Sequence, residues 1–323
     1  MSQTTLKNPL SWIIRSTSRT EVHLADRVFK WSLRALGLAI FALLSAIVYN
    51  LYVLSVPMMK SRGLRFFFES DWNPVTQNYG ALAFAFGTVM SSTVAICISL
   101  PVSIAVALVL TELAPKRVSQ VVGFLVEMLA AIPSVVYGLW GIFVVAPWLQ
   151  NSLEPWLGTH FGFISLFAGP AYGVGMLAAG LILAIMITPT IASLAREVFK
   201  TIPDHQREAA LGLGATRWEM IRLAVLKSSY PGIIGATMLG LGRALGETMA
   251  VTMVIGNRPD ISMSLFSPAQ TMASVIANEY AEATDTLHLS ALGSVGLALF
   301  FVSLVVNSLA RGLVWNYQRR GHK

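Results

Sequence analysis

The sequence predicts an all-α, polytopic membrane protein with six transmembrane helices. Composition is the first observation. Hydrophobic residues make up 55% of the 323 residues and charged residues only 12%, whereas a soluble domain carries roughly 25% charged residues. Mean hydropathy is +0.65. The second is a set of six apolar runs near 34–58, 80–111, 122–149, 171–195, 230–256 and 287–315, each long enough for the about 20 residues that a membrane helix needs. The third is that Lys and Arg collect on one side of these runs.

The first run lies behind a charged tail and lacks a small-residue cleavage site, so it reads as an uncleaved anchor. The second is too long for one straight span, and Pro101 is expected to kink it. Pro133 does the same in the third, with Glu127 placed near the interface at its front. Gly169-Pro170 opens the fourth. Ser134, Tyr137, Thr188 and Thr190 lie near these prolines. Such residues either bond to something in a polar path or satisfy backbone groups freed by a kink. Cys97 reads as a small buried apolar residue. A single cysteine makes no internal disulfide and no zinc site.

Positive charge sets the topology. Six basic residues lie in the N-terminal tail: Lys7, Arg15, Arg19, Arg27, Lys30 and Arg34. Lys116 and Arg117 follow the second run. Six more follow the fourth: Arg196, Lys200, Arg207, Arg217, Arg222 and Lys227. Arg311, Arg319, Arg320 and Lys323 close the chain. The opposite side holds only Lys60, Arg62, Arg65 and Arg258. Both ends are therefore expected in the cytoplasm. The net charge of +7 belongs to loops and tails at a membrane, not to a nucleic-acid surface. The expected organisation is a cytoplasmic tail over 1–33, a first membrane helix and external loop over 34–79, a membrane core over 80–315 and a cytoplasmic tail over 316–323.

The cytoplasmic loop 201–230 stands out. Asp204 to Leu211 fits a short helix capped by Asp204. Gly212 and Gly214 permit a tight turn. Thr216 to Leu226 fits a second short helix, with Trp218, Ile221, Val225 and Leu226 near helical spacing. From the residues alone, this is either a rigid knob on the cytoplasmic face or an ordinary interfacial loop. The external loop Arg258–Leu287 is acidic. Met272, Val275, Ile276, Glu279 and Tyr280 share helical spacing there, giving a helix that either receives a partner or lies on the membrane surface.

Glu208-Ala209-Ala210, three residues, then Gly214 resembles the EAA loop of ABC-importer permeases. That resemblance implies docking into a cleft on a cytoplasmic ATPase through Glu208, Ala209, Ala210 and Gly214. The family pattern ends in Ile-x-Leu-Pro. Here Leu226 fits, Ala224 and Lys227 do not, and the nearest proline is Pro231. A closer resemblance, over about residues 75–310, is to the phosphate-permease (PstC-type) family. It rests on LTELAP (Leu110–Pro115), LAAIPSVVYGLWG (Leu129–Gly141), GPAYGVGMLAAGLILAIMITP (Gly169–Pro189), LGLGRALGETMAVTMVIGN (Leu239–Asn257) and NEYAEA (Asn278–Ala283). It implies the type I ABC-importer transmembrane fold. It also implies assembly with a PstA-like second permease, two PstB-like ATPase subunits and a PstS-like phosphate-binding protein.

The fifth run fits an anion path. Arg243 is the sole basic residue near the middle of a run, Arg34 and Arg311 lying towards the ends of theirs, and Glu247 follows one turn later on the same face. An Arg at a helix centre costs about 2.5–3.5 kcal/mol on insertion scales, so it is expected to face the bundle interior or water. Its planar fork suits an oxyanion, with Glu247 holding the guanidinium and weakening anion binding enough for release. The competing reading is a structural ion pair. Gly242 and Gly246, with Gly235 and Gly240, suggest close helix packing.

Other classes lack their residues. No G-x4-G-K-[ST] motif is present, so no cofactor is expected and ATP falls to a partner. No HExxH and no intramembrane Asp pair occurs, and the five histidines lie outside the runs or at their edges, so the chain is not read as an enzyme. A permease for molybdate or sulfate is the nearest alternative, and the GRALGETMAVT stretch favours phosphate. A self-sufficient channel or secondary transporter has no need of an ATPase dock.

Overall fold

The structure, a computed structural model, describes residues 19–321. Residues 1–18 and 322–323 of the two expected tails lie outside the described residues, and with them Lys7, Arg15, His322 and Lys323. The chain divides into two compact units, Met1–Val53 and Leu54–Lys323. Helix α1 (Arg19–Arg62) begins in the first unit and already takes in residues 19–33 of the stretch read as a tail. No residue there breaks a helix, and Asp26 pairs with Lys30 one turn on, at 3.1 Å.

The second unit opens with a 3-10 turn, Gly63–Phe67, and a two-stranded antiparallel hairpin, β1 (Trp72–Asn73) and β2 (Asn78–Tyr79). Helix α2 (Leu82–Leu108) runs through Pro101 and widens into a π-helical turn at Val109–Leu113. Helix α3 (Lys116–Ala130) ends before Pro133, which lacks an N–H and forces its neighbour out of the helical region. The chain then bends by 89°. Helices α4 (Ser134–Trp140), α5 (Ala146–Trp148) and α6 (Glu154–Phe161) follow as one rod joined by two π-helical turns. Pro133 thus makes a sharp corner where the sequence suggested a kink.

Helix α7 (Met176–Lys200) is the centre of the core, and Ala179, Ile182, Leu183, Ile187, Ile191 and Ala195 on it are fully buried. Helix α2 lies against it through a face of small residues, Ser91, Ser92, Ala95, Ser99, Ser103 and Ala107. Small residues let the two backbones approach; a Cβ on Gly180 would come within 2.5 Å of Val94. Turning that face inward leaves Cys97 exposed, contrary to the buried reading. The loop 169–175 is stitched to the core by Gly175 N–H to the Val254 carbonyl, at 2.9 Å.

The loop 201–230 forms α8 (Asp204–Gly212) and α9 (Arg217–Met220). A π-helical turn at Ile221–Leu226 carries the chain into α10 (Lys227–Leu245), which is followed by α11 (Met249–Val254). This wide turn falls where the EAA pattern departs from Ile-x-Leu-Pro, and Pro231 lies inside α10. Helix α12 (Met272–Glu279) precedes the last helix, α13 (Thr286–Gly321). Met272, Ser274 and Val275 of α12 are fully buried among Phe84, Leu292 and Val295, and the Met272 N–H donates to Thr88 Oγ1 at 2.9 Å. The first half of α12 is therefore core and does not lie on a membrane surface.

Among the described residues, four helices are long and apolar enough to cross a membrane, or five with the bent pair Lys116–Ala130 and Ser134–Phe161 as one span. The predicted fifth run is not in that set. Helix α10 carries Ser228, Ser229, Arg243 and several glycines, and the run breaks after Leu245.

Candidate functional site

The knob over residues 201–230 is built by local signals. Helix α8 starts directly after Pro203. Asp204 does not cap it: the N-cap position is Pro203, and the Asp204 carboxylate instead accepts from Arg207 Nη1 at 3.2 Å. Gly214 turns the chain with φ of +87° and has no atom within 4 Å of where a Cβ would sit. Its glycine is demanded by backbone conformation, not by space. Thr216 and Glu219 form a reciprocal capping box for α9: Thr216 N–H donates to Glu219 Oε2 at 2.8 Å, and Glu219 N–H donates to Thr216 Oγ1 at 3.3 Å. Glu208 and Ala209 face solvent. Ala210 turns inward onto Phe199, Met220, Ile221 and Val225. Leu213 and Trp218 stay 91% and 63% exposed, an apolar surface unusual for a polar loop.

The membrane site lies where α10 ends. The last hydrogen bonds of α10 are long, Gly246 N–H to the Gly242 carbonyl and Glu247 N–H to the Ala244 carbonyl, both 3.4 Å. The chain then turns and restarts at Met249. Arg243, half-buried in the last turn of α10, donates from Nη1 to Thr190 Oγ1 of α7 at 3.3 Å. Glu247 Oε1 accepts from the Ala250 N–H at 3.3 Å, satisfying an orphan donor at the start of α11. The expected pair on one helical face is not formed: Arg243 and Glu247 are not an ion pair among the described residues, because the helix between them is interrupted. The C-terminal end of a helix favours a cation, so α10 itself helps to hold Arg243.

The neighbouring hydroxyls divide their roles. Thr190 meets Arg243. Tyr137 donates to the Leu129 carbonyl at 2.8 Å across the Pro133 break. Thr188 Oγ1 bonds back to the Ala184 carbonyl at 2.7 Å. Tyr137 thus serves the carbonyl to which Pro133 donates no N–H, while Thr188 makes an ordinary bond back along the unbroken α7. The glycines divide too. Gly240 packs on Ile191, which a Cβ would approach to 2.6 Å, while Gly235 and Gly242 face open space. Close packing within this chain accounts for Gly240 alone among them.

Two largely buried guanidinium sites near the knob were not singled out from the sequence. Arg207 Nη2 meets Glu112 Oε1 at 3.0 Å, with side chains 17% and 6% exposed. Arg196 Nη1 meets Glu127 Oε1 at 3.4 Å and its Nη2 donates to the Ser119 carbonyl at 3.3 Å. Gly123 lies directly over that guanidinium. A third buried charge, Glu154, accepts from the Gly173 N–H at 2.9 Å beneath the loop 169–175. Glu112 and Arg207 are 95 residues apart, and no local pattern links them. Among the described residues, no group of three or more His, Cys, Asp or Glu is placed to hold a metal.

The comparisons with known proteins agree with this architecture. The family described as "binding-protein-dependent transport system inner membrane component" matches residues 99–320. The phosphate transport system permease protein PstC of Mesorhizobium japonicum is 44% identical over 301 residues, covering 92% of each chain. The protein of that name from Pasteurella multocida is 44% identical over 308 residues, covering 94% of this chain and 96% of its own. A solved bacterial ABC transporter involved in import of the polysaccharide alginate superposes with a TM-score of 0.55, over 90% of this chain and 99% of that chain, at 18% identity. A MetNI methionine ABC transporter in an inward-facing conformation gives 0.50 at 17% identity, over 81% and 98% of the two chains. These structural likenesses concern the fold, that of a type I ABC-importer membrane domain. The class is thus a non-catalytic membrane permease subunit, with ATP hydrolysed by a separate subunit. The chain belongs to the family of binding-protein-dependent inner membrane components, in its PstC phosphate-permease branch.

Proposed function

We propose that this chain carries inorganic phosphate across the inner membrane, with Arg243 in the path. The observation that carries this reading is the state of Arg243: a permanent cation, half-buried at a helix break, bonded to the neutral Thr190 and joined to no carboxylate among the described residues. A cation so placed retains the capacity to neutralise a passing oxyanion, and its fork matches phosphate oxygens. Substrate arrives from a binding protein in such a system, so the arrangement suits a weak relay better than a tight clamp. Glu247 then shapes the break beside the relay and lends negative charge that favours release.

The rest of the assembly follows the same reading. Glu208, Ala209, Ala210 and Gly214 form the dock for a PstB-like ATPase, two copies of which bind ATP for the transporter, while this chain holds no cofactor. A PstA-like permease completes the path and a PstS-like protein delivers phosphate outside. The amino and carboxyl ends face the cytoplasm, where the dock lies. ATP-dependent uptake into vesicles reconstituted with all partners tests the reading. Phosphate is expected to be taken up, sulfate and molybdate to be poor substrates, and Arg243→Gln to abolish uptake while the complex still assembles. Normal uptake by an assembled Arg243→Gln transporter removes Arg243 from the mechanism, and preference for molybdate or sulfate reassigns the substrate.

A further inference from the structure

Arg207 has an acceptor for every N–H of its guanidinium. Nε reaches both Glu112 oxygens at 3.3 Å, and Nη2 reaches Glu112 Oε1 at 3.0 Å. Nη2 also donates to the Phe199 carbonyl at 2.9 Å, and Nη1 donates to the Ile202 carbonyl and to Asp204. Phe199 lies in the last turn of α7 and Ile202 two residues beyond its end. Glu112 stands in the π-helical turn that ends α2. One side chain of α8 therefore grips the ends of α2 and α7 at once. Thr190, which bonds Arg243, belongs to the same α7.

We infer that the Arg207–Glu112 pair is the positioning element that passes movement of α8 to α2 and α7, and through Thr190 to Arg243. This rests on the reading of residues 208–214 as the ATPase dock. A purely apolar contact, such as Ala210 on Phe199 and Met220, lets the knob slide. A planar fork on a carboxylate fixes direction as well as distance, and its burial shields it from the screening that weakens exposed pairs. Charge satisfied on all sides also makes partial displacement expensive, so α8 and the helix ends move together or not at all.

The test uses the full transporter, reconstituted with its partners, carrying Glu112→Gln, Glu112→Asp or Arg207→Lys. Two quantities are read: ATPase retained on purification, and phosphate moved per ATP hydrolysed. A merely structural role lowers the amount of complex but leaves that ratio alone. The expected result is retained ATPase with a ratio reduced about tenfold, within the usual range for coupling between sites of roughly 5–150-fold, and least affected in Glu112→Asp. An unchanged ratio in assembled complexes overturns the inference. Failure of all three variants to assemble also overturns it, since the pair is then a stability element. The dock is judged separately: ATPase that stays bound to a Glu208→Ala, Gly214→Val protein refutes the dock, whatever the ratio in the Glu112 variants.

Discussion

Arg243 on α10 donates to the Thr190 hydroxyl of α7 at 3.3 Å, while Glu247, four residues on, caps α11 through the Ala250 N–H. Two charges that a sequence places on one helical face thus serve two helices. Thr190 is consequently the side chain that orients the guanidinium. Thr190→Val, which keeps the shape and removes the acceptor, is expected to lower uptake by roughly ten- to a hundredfold, in line with the roughly 1.5–3 kcal/mol typical of a hydrogen bond to a charged group. Uptake rate against phosphate concentration checks this, with normal assembly as the control. Unaltered kinetics would show that Arg243 needs no anchor.

Glu247 is predicted to be separable into shape and charge. Glu247→Gln retains a carbonyl oxygen for the Ala250 N–H, so the complex should assemble at normal yield. It removes the negative charge, so release should slow and the turnover rate should fall. Glu247→Ala removes the acceptor too, and assembly itself should suffer. A Gln variant with wild-type turnover excludes the release role.

Gly214 has a φ of +87° and free space around it. Any residue with a Cβ is strained there by about 1–2 kcal/mol, with no steric clash to add. Gly214→Ala is therefore expected to leave membrane insertion intact and to reduce ATPase capture in a pull-down, and Gly214→Asn, which tolerates this conformation better, should fall between Ala and wild type.

A Cβ at Gly123 would collide with the Arg196 guanidinium. Gly123→Ala should displace Arg196 from Glu127 and the Ser119 carbonyl and destabilise the fold by about 1–3 kcal/mol, as overpacking does. A lower melting temperature in detergent checks this. Arg196→Gln in the same background should recover part of the loss by making room.

The α9 capping box carries a pH signature. The Thr216 N–H and hydroxyl, which both donate to Glu219, hold its carboxyl below its ordinary range. The folded value is lower than the unfolded one. The cap therefore contributes fully above the ordinary carboxylate range and is lost as pH falls through the lowered value. Amide hydrogen exchange at α9 should accelerate over that acid window, and Glu219→Gln should remove the pH dependence.

The class of fold was legible because the bilayer imposes long apolar runs and a charge asymmetry, both one-dimensional signals. The knob was partly legible for a similar reason, since Gly214 acts locally, whereas the Thr216–Glu219 capping box, equally local, was not read from the sequence. Sequence also singled out Arg243, since a charge inside an apolar run is costly wherever the run packs. What it did not reveal depends on groups distant along the chain. The break between α10 and α11 parted Arg243 from Glu247. Burial of α12 followed from packing against α2 and α13, which no helical periodicity reports. Whether Gly235 and Gly242 meet a neighbour was settled by the path of α7, which reaches only Gly240. The Glu112–Arg207 brace required α2 and α8 to end at one place. Sequence by itself therefore determined the membrane class and most of the long helices, and offered the knob as one of two readings, because those follow from hydrophobicity, backbone conformation and neighbours within a turn. Tertiary structure alone decided which charges meet, because hydrogen bonds require atoms within about 3 Å and residues 95 apart in the chain are brought that close only by the fold.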